Sequence, residues 1–183
     1  EAGAGDDNIV FMYAGDTVDG GTGLDTVSSL SLGSVSEAIA ITLGAGANLT
    51  LSDGTSLSNV ERFGGITLGS GDDVVDGGFM VADNTINGNL GTDLLIVDYS
   101  GPNPAGETPA RVSVRLGAGN SEEVVLIADD DSTIARFDVV NFERLNATGT
   151  SGNDLLQGLN GDFADILRGG AGDDVLNGSG GDD

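Results

Sequence analysis

The chain contains no cysteine, no histidine, no lysine and no tryptophan. Without Cys there is no disulfide framework, no thiolate nucleophile and no zinc–thiolate site. Without His there is no imidazole base, no Ser-His-Asp triad and no facial-triad iron. Positive charge is scarce: six arginines face 30 Asp and Glu, for a net charge of −24 in 183 residues. Phosphate backbones are held by clustered Lys and Arg, so nucleic acid is excluded as a partner, and anionic lipid surfaces repel the chain. No apolar run approaches the ~20 residues of a membrane-spanning helix, so membrane insertion is not expected. The opening Glu1-Ala2-Gly3 is unlike a signal peptide. Aromatics make up only 4%, which argues against a bulky globular core.

What is abundant is glycine, 32 of 183 residues, more than double the usual ~7%. Each Gly in a helix interior costs about 1 kcal/mol relative to Ala, so long helices are not expected. The length allows one domain or two small ones. No initiator Met is present and the sequence stops within Gly-Gly-Asp-Asp, from which a piece of a longer protein is expected. With the other chemistries removed, the acidic residues are left to hold cations.

A fixed period underlies the composition. From Ala2 the chain reads AGAGDDNIV, FMYAGDTVD and GGTGLDTVS, three nine-residue units with Asp sixth (Asp7, Asp16, Asp25) and an aliphatic eighth (Ile9, Val18, Val27). A second block reads LGSGDDVVD, GGFMVADNTIN and GNLGTDLLI, with Asp73, Asn84 and Asp93 sixth or equivalent and Val75, Ile86 and Leu95 eighth. A third reads GTSGNDLLQ, GLNGDFADILR and GGAGDDVLN, then the broken unit GSGGDD. Its acids are Asp154, Asp165, Asp174 and Asp183, and its aliphatics Leu156, Leu167 and Leu176. In both later blocks the middle unit carries two extra residues. Disorder has no use for an aliphatic stripe in register, so the pattern overrides the disordered-linker composition.

These units resemble the RTX, or haemolysin-type, calcium-binding repeat G-G-x-G-x-D-x-U-x. GGTGLDTVS (20–28) and GGAGDDVLN (169–177) carry the likeness most completely, while the unit 11–19 lacks its leading glycines and Asn84 replaces an Asp. The resemblance implies an all-β fold, a right-handed parallel β-roll or β-helix solenoid with Gly/Asp-rich turns that hold several Ca²⁺ ions. It also implies main-chain ligands near the second and fourth positions: Gly3, Gly5, Gly21, Gly23, Gly69, Gly71, Gly91, Gly152, Gly170 and Gly172.

The spacing has its own physical sense. Six Gly-rich residues make a turn, since Gly permits positive φ and close approach at little steric cost. The last three residues make a short strand with one side chain inward. Two units complete a coil, so Asp7 pairs with Asp25, Asp73 with Asp93, Asp154 with Asp174 and Asp165 with Asp183 on shared sides, while Asp16 lies opposite. Coils stacked about 4.8 Å apart bring these carboxylates together. Their repulsion opposes folding until a cation with six to eight oxygen ligands intervenes; Ca²⁺ suits such a site better than Mg²⁺, which demands a tighter octahedron.

The expected organisation is one continuous solenoid over 1–183, with nonapeptide blocks 2–28, 68–96 and 149–183 and wider strand-loop spacers 29–67 and 97–148. The spacers share Leu-Gly-Ala-Gly (43–46 and 116–119) and end in Asn-Val-Glu-Arg-Phe (59–63) or Asn-Phe-Glu-Arg-Leu (141–145). Alternating stretches at 38–43, 112–116 and 124–127 read as strands, and 102–109, holding all three prolines, as an irregular loop. The Glu61-Arg62 and Glu143-Arg144 pairs are expected to be structural. Asp129, Asp130 and Asp131 read as a solvated run, and the sequons at Asn48 and Asn146 as fortuitous.

The functional expectation is a calcium-binding repeat module, not itself an enzyme, belonging to a larger secreted bacterial protein. The resemblance implies export by the type I secretion machinery and folding on extracellular Ca²⁺. The alternatives are a saccharide- or surface-binding adhesin or surface-layer segment, or the C-terminal module of a secreted polysaccharide-modifying enzyme.

Overall fold

The computed structural model describes residues 1–43, 47–77, 84–101, 109–116, 123–128 and 131–183. Throughout these residues the chain is all-β and contains no helix. The 102–108 part of the proline loop, the glycines of both Leu-Gly-Ala-Gly elements, and Asp129 and Asp130 lie outside the described residues.

The first block forms β1 (Gly3–Ala4), β2 (Asn8–Ile9), β3 (Met12–Tyr13), β4 (Thr17–Asp19), β5 (Gly21–Thr22) and β6 (Thr26–Ser31). The first spacer gives β7 (Ala40–Thr42), β8 (Ala47–Thr50), β9 (Ser56–Val60) and β10 (Arg62–Thr67). The second block supplies β11 (Val74–Asp76), β12 (Asn84–Asn87) and β13 (Leu94–Asp98). The second spacer supplies β14 (Arg111–Arg115), β15 (Glu123–Ile127), β16 (Thr133–Val140) and β17 (Arg144–Thr148). The third block adds β18 (Leu155–Gln157), β19 (Ile166–Arg168) and β20 (Val175–Asn177).

These strands form two main sheets. One runs β2-β6-β10-β12-β16-β15-β14-β18-β20, with β3 also on β6, and the other β19-β17-β13-β11-β7; β4-β9-β8 and β1-β5 make smaller sheets. Pairing between successive units is parallel and keeps the eighth positions in line. Ile9 faces Val27 across the eighteen-residue step of the first block. Val75 faces Leu95, and Leu156 faces Leu176, across the twenty-residue steps made by the two inserted residues.

The spacers enter the same parallel ladders: β10 lies on β6, β7 on β11, β16 on β12, β17 on β13 and β14 on β18. They also contain antiparallel pairs, β8 with β9 and the run β14-β15-β16, which the repeat period does not announce.

Side chains of both main sheets meet in one apolar cluster, whose bulkiest members are Tyr99, Phe63, Phe137 and Met12. Among the eighth-position aliphatics, Val27, Val75, Ile86, Leu95 and Leu156 are fully buried, each contributing about 1.5–3 kcal/mol of transfer free energy. Ile9, Val18 and Leu167 are half-buried and Leu176 is exposed, because their strands β2, β4, β19 and β20 are all edge strands. In the unit 11–19 the opening residues are not turn: Met12–Tyr13 is strand β3 and Met12 is fully buried, so only Ala14 to Asp16 reverse the chain.

Candidate calcium-binding turns

The expected same-side acids are joined by one repeated contact. The N–H of Asp7 donates to Asp25 Oδ1 (2.8 Å), that of Asp73 to Asp93 Oδ1 (2.8 Å), that of Asp154 to Asp174 Oδ1 (3.0 Å) and that of Asp165 to Asp183 Oδ1 (2.7 Å). The contact follows from the parallel register: the sixth residue immediately precedes the strand, so its carboxylate reaches the first free amide of the neighbouring coil. Asp25, Asp73, Asp93, Asp154 and Asp165 are buried, Asp174 is half-buried, and Asp183 at the end of the stack is exposed.

The second carboxylate oxygen divides the acids into two groups. Where the acid lies on a spacer strand, its Oδ1 takes a spacer amide, from Ile39 to Asp73, Val112 to Asp154 and Leu145 to Asp165. Its Oδ2 is then capped within its own turn, by Gly69 N–H on Asp73, Thr150 N–H on Asp154 and Leu159 N–H on Asp165. The Oδ2 atoms of Asp7, Asp25 and Asp93 are instead buried with no hydrogen-bond partner among the described residues. A buried anionic oxygen without a donor is costly, and a cation relieves that cost.

The first-position glycine lets this oxygen pack directly against the main chain. A Cβ on Gly20, Gly88, Gly149, Gly158, Gly169 or Gly178 would overlap Oδ2 of Asp25, Asp93, Asp154, Asp165, Asp174 or Asp183 respectively. Main-chain carbonyls crowd the same turns. Gly3 O abuts Gly21, Gly5 O abuts Gly23, Gly71 O abuts Gly91, Thr150 O abuts Gly170 and Gly152 O abuts Gly172, each too close for a side chain. Val35 O and Glu37 O stand in the same relation to Gly69 and Gly71. Gly21 and Gly23 illustrate the backbone requirement, with φ of 102° and 144° that other residues rarely adopt.

Burial raises the Asp93 carboxyl to about 6, with repulsion from Asp73, Glu143 and Asp72 adding to the rise against the Asp73 amide that lowers it. Burial also raises Asp73 and Asp165, opposed by the backbone N–H groups they accept. Among the described residues no three acidic side chains converge. The donor set is carboxylate oxygens with main-chain carbonyls, all hard oxygen, which fits Ca²⁺.

Two residues of the sequence register stand apart. Asp16 is exposed and accepts the Tyr13 N–H three residues back (2.8 Å), with no neighbouring acid on its amide. Asn84 opens β12, opposite Phe137. The sequence reading missed the first-position glycines as carboxylate cradles, although they are the first letter of the repeat. It also missed what Glu61 and Glu143 do: they accept the N–H of Asp25 (2.9 Å) and of Asp93 (2.8 Å).

A search among curated proteins found no match for the chain. The family model of the RTX calcium-binding nonapeptide repeat matches in four copies, over residues 66–79 and 160–183, within and beside the second and third blocks. The units at residues 66–79 and 160–183 are thus RTX calcium-binding nonapeptide repeats, and they make this part of the chain a calcium-binding repeat module.

Proposed function

We propose that the 183 residues form one continuous right-handed parallel β-roll, folded by Ca²⁺ held in its turns. The observation that carries this reading is the set of buried, unpartnered Oδ2 atoms on Asp7, Asp25 and Asp93, those of Asp25 and Asp93 packed against Gly20 and Gly88 beside a main-chain carbonyl. In this reading the ligands are the sixth-position acids and the carbonyls at second and fourth positions, from Gly3, Gly5 and Asp7 through Gly170, Gly172, Asp174 and Asp183. When bound, Ca²⁺ supplies positive charge and fixed oxygen geometry. The chain's own residues hold the coils in register and leave one carboxylate oxygen unpartnered on Asp7, Asp25 and Asp93.

The same chemistry suits a protein exported unfolded and folded outside the cell, the route typical of RTX proteins. At tenfold excess over its dissociation constant one site adds about 1.4 kcal/mol, so several reach the ~5–15 kcal/mol of an ordinary domain. Where free Ca²⁺ is scarce that contribution vanishes and a net charge of −24 favours the unfolded chain. Far-UV circular dichroism is expected to pass from disordered to β as Ca²⁺ is raised to millimolar; equal β content in excess chelator would overturn the reading.

A second reading, a saccharide- or surface-binding segment, has one observation in its favour. Phe11 and Tyr13 are both exposed and their rings stack at 6.2 Å, a flat aromatic face of the kind that packs on sugar rings. Glycan-array binding that is lost in Phe11→Ala/Tyr13→Ala supports it; no binding to any glycan removes it.

A further inference from the structure

The two Asn-x-Glu-Arg elements at the ends of the spacers have one geometry, repeated. Arg62 pairs with Thr26 and Arg144 with Leu94, so Glu61 and Glu143 occupy the register position of the sixth-position Asp in the coils below, Asp25 and Asp93. Each glutamate takes the amide that a nonapeptide Asp would take, through Oε2 at 2.9 and 2.8 Å. Asp25 O receives the N–H groups of Glu61 and Arg62, at 3.2 and 3.0 Å, and Asp93 O those of Glu143 and Arg144, at the same two distances.

The turn leading to each glutamate is shorter than a nonapeptide turn. Asn59 and Asn141 adopt left-handed backbones, with φ of 52° and 55°. Their side chains are pinned to the preceding coil, by Asn59 Nδ2 donating to Asp19 Oδ1 (2.8 Å) and Asn141 Nδ2 to Asn87 Oδ1 (2.9 Å). The carbonyl each Asn presents converges with the unpartnered acid. Asn59 O and Asp25 Oδ2 both border the space beside the Gly20 Cα, and Asn141 O and Asp93 Oδ2 border that beside Gly88. Asp25 and Asp93 are both 0% exposed, and in each Oδ2 is buried with no hydrogen-bond partner among the described residues.

We propose that Asp25–Asn59–Glu61 and Asp93–Asn141–Glu143 are two further Ca²⁺ sites, in which a spacer glutamate replaces the nonapeptide aspartate and closes the acid ladder of the block before it. The longer side chain spans the gap left by the shortened turn, and the carbonyl of the left-handed Asn replaces that of a turn glycine. The Asn-x-Glu-Arg element is then a metal-binding end piece of each block, and the first two blocks each bind one ion more than their acid-on-acid pairs provide. This inference rests on the calcium reading above.

The test is the calcium stoichiometry of the whole chain by equilibrium dialysis, for wild type, Glu61→Gln, Glu143→Gln and the double variant. Gln keeps the acceptor for the Asp25 or Asp93 amide and removes only the charge. One ion fewer for each substitution is expected, with wild-type circular dichroism at saturating Ca²⁺. Wild-type stoichiometry in both single variants overturns the inference and leaves the calcium reading standing, whereas a wild-type chain that binds no Ca²⁺ overturns that reading itself. Should the variants fail to fold, wild-type chain labelled with 13C-carboxyl glutamate gives the answer by infrared spectroscopy. The nonapeptide turns hold no glutamate, so a Ca²⁺-induced shift of the labelled carboxylate band is expected, and an unmoved band overturns the inference.

Discussion

At the scale of single residues, position within the stack decides what an aspartate does. Asp25 and Asp131 have the same side chain and opposite surroundings. Asp25 is fully buried with one oxygen on the Asp7 amide and the other unpartnered. Asp131 is an exposed residue that pairs with Arg111 at 2.7 Å, both side chains largely in solvent. An exposed pair of this kind contributes about 0–1 kcal/mol. Asp25→Asn keeps the shape and one acceptor but removes the charge that a calcium ion needs. Calorimetric titration is expected to show affinity at that site falling at least about tenfold, or ~1.4 kcal/mol, while Asp131→Asn leaves the titration unchanged. Equal losses in the two variants would remove the link between register and binding.

At the scale of the strands, the same reasoning applies to the apolar stripe. Leu95 and Leu176 both hold the eighth position, yet Leu95 is fully buried between β11 and β17 and Leu176 is 48% exposed on the edge strand β20. Leu95→Ala is expected to cost about 2–5 kcal/mol in calcium-saturated protein, and Leu176→Ala well under half of that; denaturant melts in Ca²⁺ measure both. The nonapeptide strands were legible because one short motif fixes both the turn and the inward side chain. The same-side pairs Asp73–Asp93 and Asp154–Asp174 followed from counting residues, insertions included. The hairpin β8–β9 and the run β14-β15-β16 were not legible as antiparallel pairs, since alternation marks a strand without naming its partner. Nor was the role of Glu61 and Glu143. Their element has a two-residue approach where the repeat has five, and only the pairing of Arg62 with Thr26 and Arg144 with Leu94 puts each glutamate opposite an aspartate.

For the whole molecule, proton and calcium compete for the same oxygens. Asp73, Asp93 and Asp165 are raised by burial in the folded chain, Asp93 to about 6, against an ordinary value near 3.9 in an unfolded chain. A group raised on folding binds its proton more tightly in the folded state. In chelator its stabilising contribution is therefore fully present below pH ~4 and is lost as pH rises through the folded value. Acidification from pH 7 towards 4.5 is expected to increase β structure in the calcium-free chain, as repulsion among stacked carboxylates is neutralised by protons instead of metal. With Ca²⁺ present the sign reverses for binding, because each proton taken up displaces positive charge that the ion would supply. Four acid-on-acid contacts and two glutamate closures would hold about six ions, whose ~12 positive charges would halve the net −24. Protons add to the folded population that metal would otherwise have to supply, so the Ca²⁺ concentration at the folding midpoint is expected to be flat from pH 8 to 7 and to fall as pH falls through about 6. Circular dichroism titrations at pH 8, 7, 6 and 5 measure it. A midpoint independent of pH over that range would mean that the buried carboxylates are not the groups whose charge opposes folding without metal.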